Sequence, residues 1–438
     1  MDHFELILLG LLIAVAGLTA LARLIDVPYP ILLVVGGGFI GFVPGLPQVE
    51  LDPDLVLLVF LPPLLFNAAY FASLHELRRD TRTIVMSSIG LVLLTAAIVA
   101  GGIAIGLVVG VVLLRCFRMV TRDVLVGTTL SIVSGYLGYI PAEELGVSGV
   151  LAAVTVGLVL GRRSTEISTA AARLSAYSFW EVLVFLLNAT LFILVGFQLH
   201  TVIGEQERST GTLVLLGLAI SGAVIGARLL WLFTTPYLIR ALDRRPAQRA
   251  RRVGMAGRFV LGWMGLRGAV SLAAALALPL DFPERDLIVF LTVCVIYATL
   301  VFQGLTLPWL IRSLDIHDDG SRAHEELVAR QAATAAAIAR MQELRNAEWT
   351  RDGTVDWMIS RYDFRRRRLD QRAGTLAPED DTGEDLEARS QAYQRLVREG
   401  LEAERGTVTA LRADGTISDA VMYRLEREID LEDQRLEL

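Results

Sequence analysis

The sequence predicts an all-α polytopic membrane protein followed by a soluble helical tail, and three observations carry this. Of its 438 residues, 53% are hydrophobic and only 20% are charged, with a mean hydropathy of +0.52. The apolar residues come in long uncharged runs up to about residue 311; a helix of roughly 20 such residues crosses a bilayer. Beyond that point the chain turns polar and dense in charge, and strand-type alternation is absent, which excludes a β-barrel.

The elements follow from the arginines. All 41 basic side chains are Arg, and the formal net charge of −6 says little because acids and bases are segregated along the chain. Arg-rich loops mark the cytoplasmic side. They are "HELRRDTR" (75–82), "RCFRMVTRD" (115–123), "GRRSTEISTAAAR" (161–173) and "RALDRRPAQRARRVGMAGR" (240–258), whereas 43–54, 141–148 and 280–286 lack this excess. The spans then fall near 4–22, 29–43, 54–73, 124–140, 148–161, 176–199, 211–239, 259–280 and 286–311, with the amino terminus outside and the tail inside. The opening "MDHFELILLGLLIAV" lacks the basic start and cleavage site of a signal peptide and reads as a retained first span. Cys116 and Cys294 lie far apart in sequence and read as ordinary buried thiols.

Residues 83–114 carry no charge. A single helix of that length runs ~48 Å, well beyond a hydrocarbon core of ~30 Å, and arginines flank both ends. Two short arms turning at Ala100-Gly101-Gly102 satisfy both constraints. They form a strained or re-entrant hairpin and bring the total to about eleven crossings.

At this point the residues carry a resemblance. "VPYPILLVVGGGFIGFVPGLPQVELDPDLVLLVFLPPLLFNAAYFAS" (27–73), "AEELGVSGVLAAVTVGLVLGRR" (142–163), "FWEVLVFLLNATLFILVGFQL" (179–199) and "GWMGLRGAVSLAAALALP" (262–279) resemble bacterial sodium/proton antiporters of the sodium/hydrogen exchanger family. FLPPLLF combined with GLRGAVSL is the specific part, and the resemblance extends over most of 5–311; "LRADGTISDAVMYRLEREIDLEDQRL" (411–436) also resembles tails of such transporters. The resemblance implies an inverted-repeat helical bundle and exchange of a monovalent cation, Na+ (or K+ or Li+), for protons. It also implies a multi-pass protein of the bacterial inner membrane that serves pH homeostasis, a homodimer and no cofactor. The family has two further helices after the one beginning near residue 83. One carries a Thr-Asp-Pro motif on a broken helix, the other a Glu-Ser-x-x-Asn-Asp motif whose last Asp binds the ion. Neither motif occurs in residues 1–311. The family core is therefore expected to be incomplete, with a deletion junction near residues 100–101 in a transmembrane domain spanning 1–311.

Exchange needs an embedded group that binds a proton or a cation in competition, and a carboxylate is the natural choice. Few intramembrane ionisable residues remain. Arg267 is mid-span beside Gly265, Gly268 and Ala269, and a buried guanidinium marks a functional interior. In the family its partner is the Glu of the missing motif, which leaves Glu181 or backbone carbonyl groups here. Ser271 lies four residues on, on the same helical face. Glu181 is either an interfacial salt-bridge or capping residue or part of the ion pathway. Asn188, seven residues later on roughly the same face, either makes an interhelical hydrogen bond or lines the pathway. Asn67 follows Pro62 and Pro63, where a helix break is expected; relatives frequently carry an acid at this position. Glu143 and Glu144 form either an external cation funnel or a solvated loop pair. Arg228 snorkels or pairs structurally. "GGGFIG" (36–41) and "GVSGVLA" (146–152) suit close helix packing and not a nucleotide loop. HExxH, CxxC and paired hydrolytic acids are absent from the membrane part, so nothing here points to an enzyme, and the sequence names no metal ligand set.

The cytoplasmic tail (312–438) reads as a helical stretch over 321–370, a linker over 372–385 and a helix over 386–405. In its last segment Ser418 caps a helix that carries Val421, Met422, Leu425 and Ile429 on one stripe. That stripe is expected to pack on another tail helix or a second subunit. The basic run 365–368 is either a solvated helix face or a contact with anionic lipid, and so many acids nearby disfavour nucleic acid.

Overall fold

The computed structural model describes residues 3–43, 53–72, 98–119, 123–204, 208–242, 254–265, 271–272, 275, 278, 282–315, 321–347, 349–373 and 386–436. All regular structure among them is helical. The chain divides into two units, Met1–Ile316 and His317–Leu438.

The first unit holds α1 (His3–Leu24), α2 (Tyr29–Gly41), α3 (Pro53–Tyr70), α4 (Ile98–Met119) and α5 (Val124–Glu144). It continues with α6 (Gly149–Arg162), the single turn α7 (Ser164–Ile167), α8 (Ala170–Gly204), α9 (Thr210–Leu242) and α10 (Met255–Trp263). Then come α11 (Arg285–Tyr297), a π-helical segment (Ala298–Gln303) and α12 (Gly304–Ser313). Five helical stretches among the described residues are long and apolar enough to cross a bilayer: Ile98–Met119, Val124–Glu144, Ala170–Phe197, Thr210–Thr235 and Arg285–Ser313. Shorter apolar helices stand at Leu9–Leu24, Tyr29–Gly41, Leu58–Tyr70 and Gly149–Arg162. The expected hairpin arm over 83–99 falls almost wholly outside the described residues, as does half of the expected span 259–280.

α8 joins the two main apolar clusters. Its Trp180 packs with Phe66, Phe117, Val156 and Leu160, and its Val195 packs with Leu213, Phe290, Val293 and Ile296. The outer surface is apolar as well: Leu215, Leu218 and Leu230 of α9 are all exposed, as the wall of a lipid-embedded bundle must be.

The expected turn at Ala100-Gly101-Gly102 does not form, because α4 runs unbroken through it. Its glycines serve contact instead. A Cβ on Gly102 would stand 2.4 Å from the Ser148 carbonyl oxygen, and one on Gly106 would stand 2.6 Å from that of Ala152. Gly110 meets the Val159 side chain, whose Cγ1 would stand 3.0 Å from a Cβ there. These glycines recur every four residues, so they share one face, and they seat α4 directly on the start and middle of α6, the two helices running in the same direction. Without a hydrophobic force between helices in lipid, such backbone approach is what joins them. A second close crossing joins α2 and α8, where Cβ atoms on Gly37 and Gly196 would each come within 2.3 Å of a carbonyl oxygen, of Ile193 and Val34 respectively.

The second unit contains α13 (Ser321–Glu343), a short 3-10 turn (Leu344–Asn346), α14 (Asp352–Arg372), α15 (Leu386–Ala413) and α16 (Asp419–Leu436). The stretch expected as one helix over 321–370 is thus split. Thr350 sits in the break and turns its hydroxyl onto the carbonyls of Leu344, Arg345 and Ala347. α15 and α16 form a hairpin around Leu401, Val408, Met422 and Ile429, with Leu425 against them. The tail stripe therefore packs on the preceding helix of the same chain, while Val421 points outward, 39% exposed. Ser418 accepts a hydrogen bond from the Val421 amide at 3.4 Å, as a cap should. Arg398–Asp433, Arg405–Asp430 and Arg412–Asp419 pairs line the hairpin. The basic run is engaged within the tail: Arg366 and Arg367 pair with Asp363, and Arg368 donates to the Ser390 hydroxyl.

Candidate functional site in the membrane unit

Pro62 and Pro63 are buried within α3, which continues helical through both, so the expected break is not formed. A proline at position 63 offers no N–H to the carbonyl of Val59, four residues earlier. The Tyr136 hydroxyl of α5 donates to that oxygen at 3.0 Å, which removes the cost of an unpaired group in lipid. The Pro62 carbonyl in turn lies against Gly135, where a Cβ would come within 2.8 Å. Asn67 follows on α3 and is half-buried.

On α8, Trp180 and Glu181 point different ways, as a rotation of about 100° per residue requires. Trp180 is buried at 2% exposure, and its indole N–H donates to the Ser131 hydroxyl at 3.1 Å. Glu181 is exposed. Asn188 is half-buried although it sits seven residues along the same face, because α2 packs on that stretch of α8: Tyr29 meets Phe185 with ring centroids 5.3 Å apart. Ser271 is half-buried. Arg267, and with it any pairing to Glu181, lies outside the described residues. Arg228 is exposed, and its stem leans on the end of α10, since a Cβ on Gly265 would fall 2.7 Å from its Cδ.

Glu143 and Glu144 stand in the last turn of α5 and not in a loop, and Glu143 is engaged. Its Oε1 accepts the Gly149 amide at 2.9 Å at the N-terminus of α6, where negative charge is favoured, and Ser148 caps the same helix. Glu144 is exposed. Cys116 and Cys294 are free, half-buried thiols. Among the described residues no three His, Cys, Asp or Glu side chains converge as metal ligands.

Three polar features escaped the sequence reading. At the Arg-rich end of the bundle a small cleft of about 40 Å³ is lined by Tyr70, Asp123, Thr128, Ser131, Arg173 and Tyr177, among others. Asp123 caps α5 by accepting the Leu125 and Val126 amides, and Arg173 donates to the Ser168 carbonyl at 2.6 Å. At the start of α10, Arg258 is only 7% exposed, with its guanidinium 5.5 Å from the centroid of the Tyr237 ring. In the last membrane helix, Gln303 closes the π segment at 1% exposure. Of these only Gln303 had a sequence signal, as the one amide in the run "ATLVFQGLTLPWL". Tyr297, one turn and a half earlier, donates its hydroxyl to the Val34 carbonyl at 2.9 Å; it passes over Gly38, whose Cβ would come 2.7 Å from that hydroxyl.

Comparison with known proteins bears on the unit as a whole. The sequence profile described as sodium/hydrogen exchanger, transmembrane, matches residues 10–101 and 86–313, two stretches that overlap in this chain. An uncharacterized Na+/H+ exchanger of Mycobacterium tuberculosis is 28% identical over 524 aligned positions, covering 98% of this chain and 96% of the relative. Because 524 positions exceed the 438 residues available, that relative carries residues with no counterpart here. The Na+/H+ antiporter ApNhaP of Aphanothece halophytica is 27% identical over 427 positions, 77% of this chain and 80% of its own. The Na+/H+ antiporter NhaG of Bacillus atrophaeus is 27% identical over 325 positions, 73% of this chain and 58% of its own. On the profile match across its helical membrane unit, the chain belongs to the sodium/hydrogen exchanger family.

Proposed function

We propose that the chain exchanges a monovalent cation, Na+ first, for protons across the bacterial cell membrane, as a homodimer with its amino terminus outside and its tail in the cytoplasm. The observation that carries this reading is the family profile running through the whole membrane unit, residues 10–313, over a bundle with apolar outer walls. Arg267 with Ser271 forms the interior polar centre, Asn67 and Asn188 line the pathway, and Glu181 belongs to the interface with lipid headgroups or water. The inverted repeat lacks two helices, and the junction lies in the stretch where the two profile matches overlap.

A second reading is a transport-inactive scaffold or regulatory dimer partner of an antiporter. The alignment that outruns the chain favours it, because the relative carries residues with no counterpart here and the Glu-Ser-x-x-Asn-Asp motif is missing from residues 1–311.

Everted membrane vesicles from an antiporter-deficient bacterial strain separate the two. A pH-sensitive dye reports dequenching on addition of Na+, K+ or Li+, with Arg267→Ala alongside. Dequenching that Arg267→Ala abolishes supports exchange. Silence from a well-inserted protein supports the scaffold.

A further inference from the structure

The last membrane helix contains the π segment Ala298–Gln303, a form that widens the helix and recurs at functional sites. Its backbone is well provided for. Thr299 donates its hydroxyl to the carbonyls of Val295 and Ile296 at 2.8 and 3.3 Å. Thr306 does the same for Phe302 and Gln303 at 2.7 and 3.2 Å, and its oxygen accepts the Trp263 indole N–H at 2.9 Å. Two threonines and one tryptophan thus secure the segment at its ends. The Gln303 side chain is the exception. It is 1% exposed, and among the described residues neither Oε1 nor Nε2 has a hydrogen-bond partner.

A carboxamide has two donors and two acceptor sites, and burying it without partners in an apolar bundle is strongly unfavourable. A residue of similar volume such as Leu fills the same space at no such cost. We propose that the Gln303 amide holds water inside the bundle, as a polar step on the route by which ions reach the core. Water suits the group better than a bare cation does, because it accepts from Nε2–H and donates to Oε1 at once, and sites of this kind are where buried water resides. The assignment rests on the exchange reading for its purpose only; the test reads access of water and not transport.

In a Cys116→Ser, Cys294→Ser background, Gln303→Cys is treated in intact membranes with a small cationic methanethiosulfonate, and labelling is measured by mass spectrometry. Leu305→Cys is the control, because Leu305 is 50% exposed on the outer wall of the same helix. The reacting species is the thiolate, which forms only where water reaches the sulfur. Labelling of Gln303→Cys at least about tenfold faster than the control is expected; an equal or slower rate overturns the proposal. Gln303→Leu gives a second reading by thermal unfolding in detergent. An amide that holds nothing is improved by its removal, so a raised Tm overturns the proposal, and an unchanged or lowered Tm is the expected result. Should exchange itself be absent, vesicle dequenching fails while fast labelling persists, so the two failures are told apart.

Discussion

The hydroxyl of Tyr136 lies 3.0 Å from the carbonyl oxygen of Val59, the group that Pro63 cannot serve. One side chain from α5 thereby completes a backbone hydrogen bond of α3. Tyr136→Phe is expected to cost about 1–2 kcal/mol, the effect of leaving an acceptor unpaired where lipid offers no donor. In a Pro63→Ala background, which restores the missing N–H, the same substitution should cost much less. A double-mutant cycle on Tm in detergent measures the difference; equal losses in both backgrounds would mean that the hydroxyl is not replacing the proline's donor.

Gly106 and Gly196 each meet a carbonyl oxygen at a distance no Cβ tolerates. Gly106→Val and Gly196→Val should each cost about 3 kcal/mol or more, at the upper end of overpacking effects, because backbone must move. Size-exclusion profiles of the detergent-solubilised protein should shift to aggregate for both, while Gly10→Val, where nothing lies within 4 Å, stays monodisperse.

Neighbouring residues on α8 should respond oppositely. Trp180→Ala removes a buried aromatic and its hydrogen bond to Ser131, and is expected to cost about 3–5 kcal/mol. Glu181→Gln, on the exposed face, should alter stability by no more than about 0.5 kcal/mol. It should also leave the half-saturating cation concentration in vesicles unchanged. A large shift in that concentration would return Glu181 to the ion pathway.

In the tail hairpin the apolar seam should outweigh the charged one. Met422→Ala or Leu401→Ala is expected to cost about 2–5 kcal/mol locally, and Arg405→Ala less than about 1 kcal/mol because its pair with Asp430 is solvent-exposed. Amide exchange over α16 in the full-length protein reads both.

Much of the fold was legible because lipid leaves so few options. Uncharged runs announced the long apolar helices at Val124–Glu144, Ala170–Phe197, Thr210–Thr235 and Arg285–Ser313, and Ser418 with the Met422, Leu425 and Ile429 stripe announced the last tail helix. The stretch 100–102 misled because glycine has two uses in a membrane: it permits turns, and it permits backbone contact. Which one applies depends on what stands opposite, here Val147 and Ser148, and that is a tertiary fact. Pro62 and Pro63 misled for a similar reason, since the donor that rescues Val59 lies 77 residues away. Glu143 gave no sign of capping because its acceptor role is set by the turn at Gly146, which takes a positive φ of 69°. Gln303 was visible as a lone amide, but only its lack of partners makes it informative.

The seam between α4 and α6 also limits how this gene is free to vary. Its specificity lies in atoms that are absent, so every missense change in the codons for Gly102 or Gly106 adds a group where none fits. A leucine in a core has near-equivalents such as isoleucine or methionine; a glycine pressed against a carbonyl has none. The facing helix is restricted differently: it meets these glycines largely through main-chain oxygens that any residue supplies, while Ser148 is held by its capping role and Ala152 by its burial. Drift should therefore be one-sided at the cap, with Ser148 free to exchange for another capping residue such as Thr or Asp while Gly102 stands still opposite it.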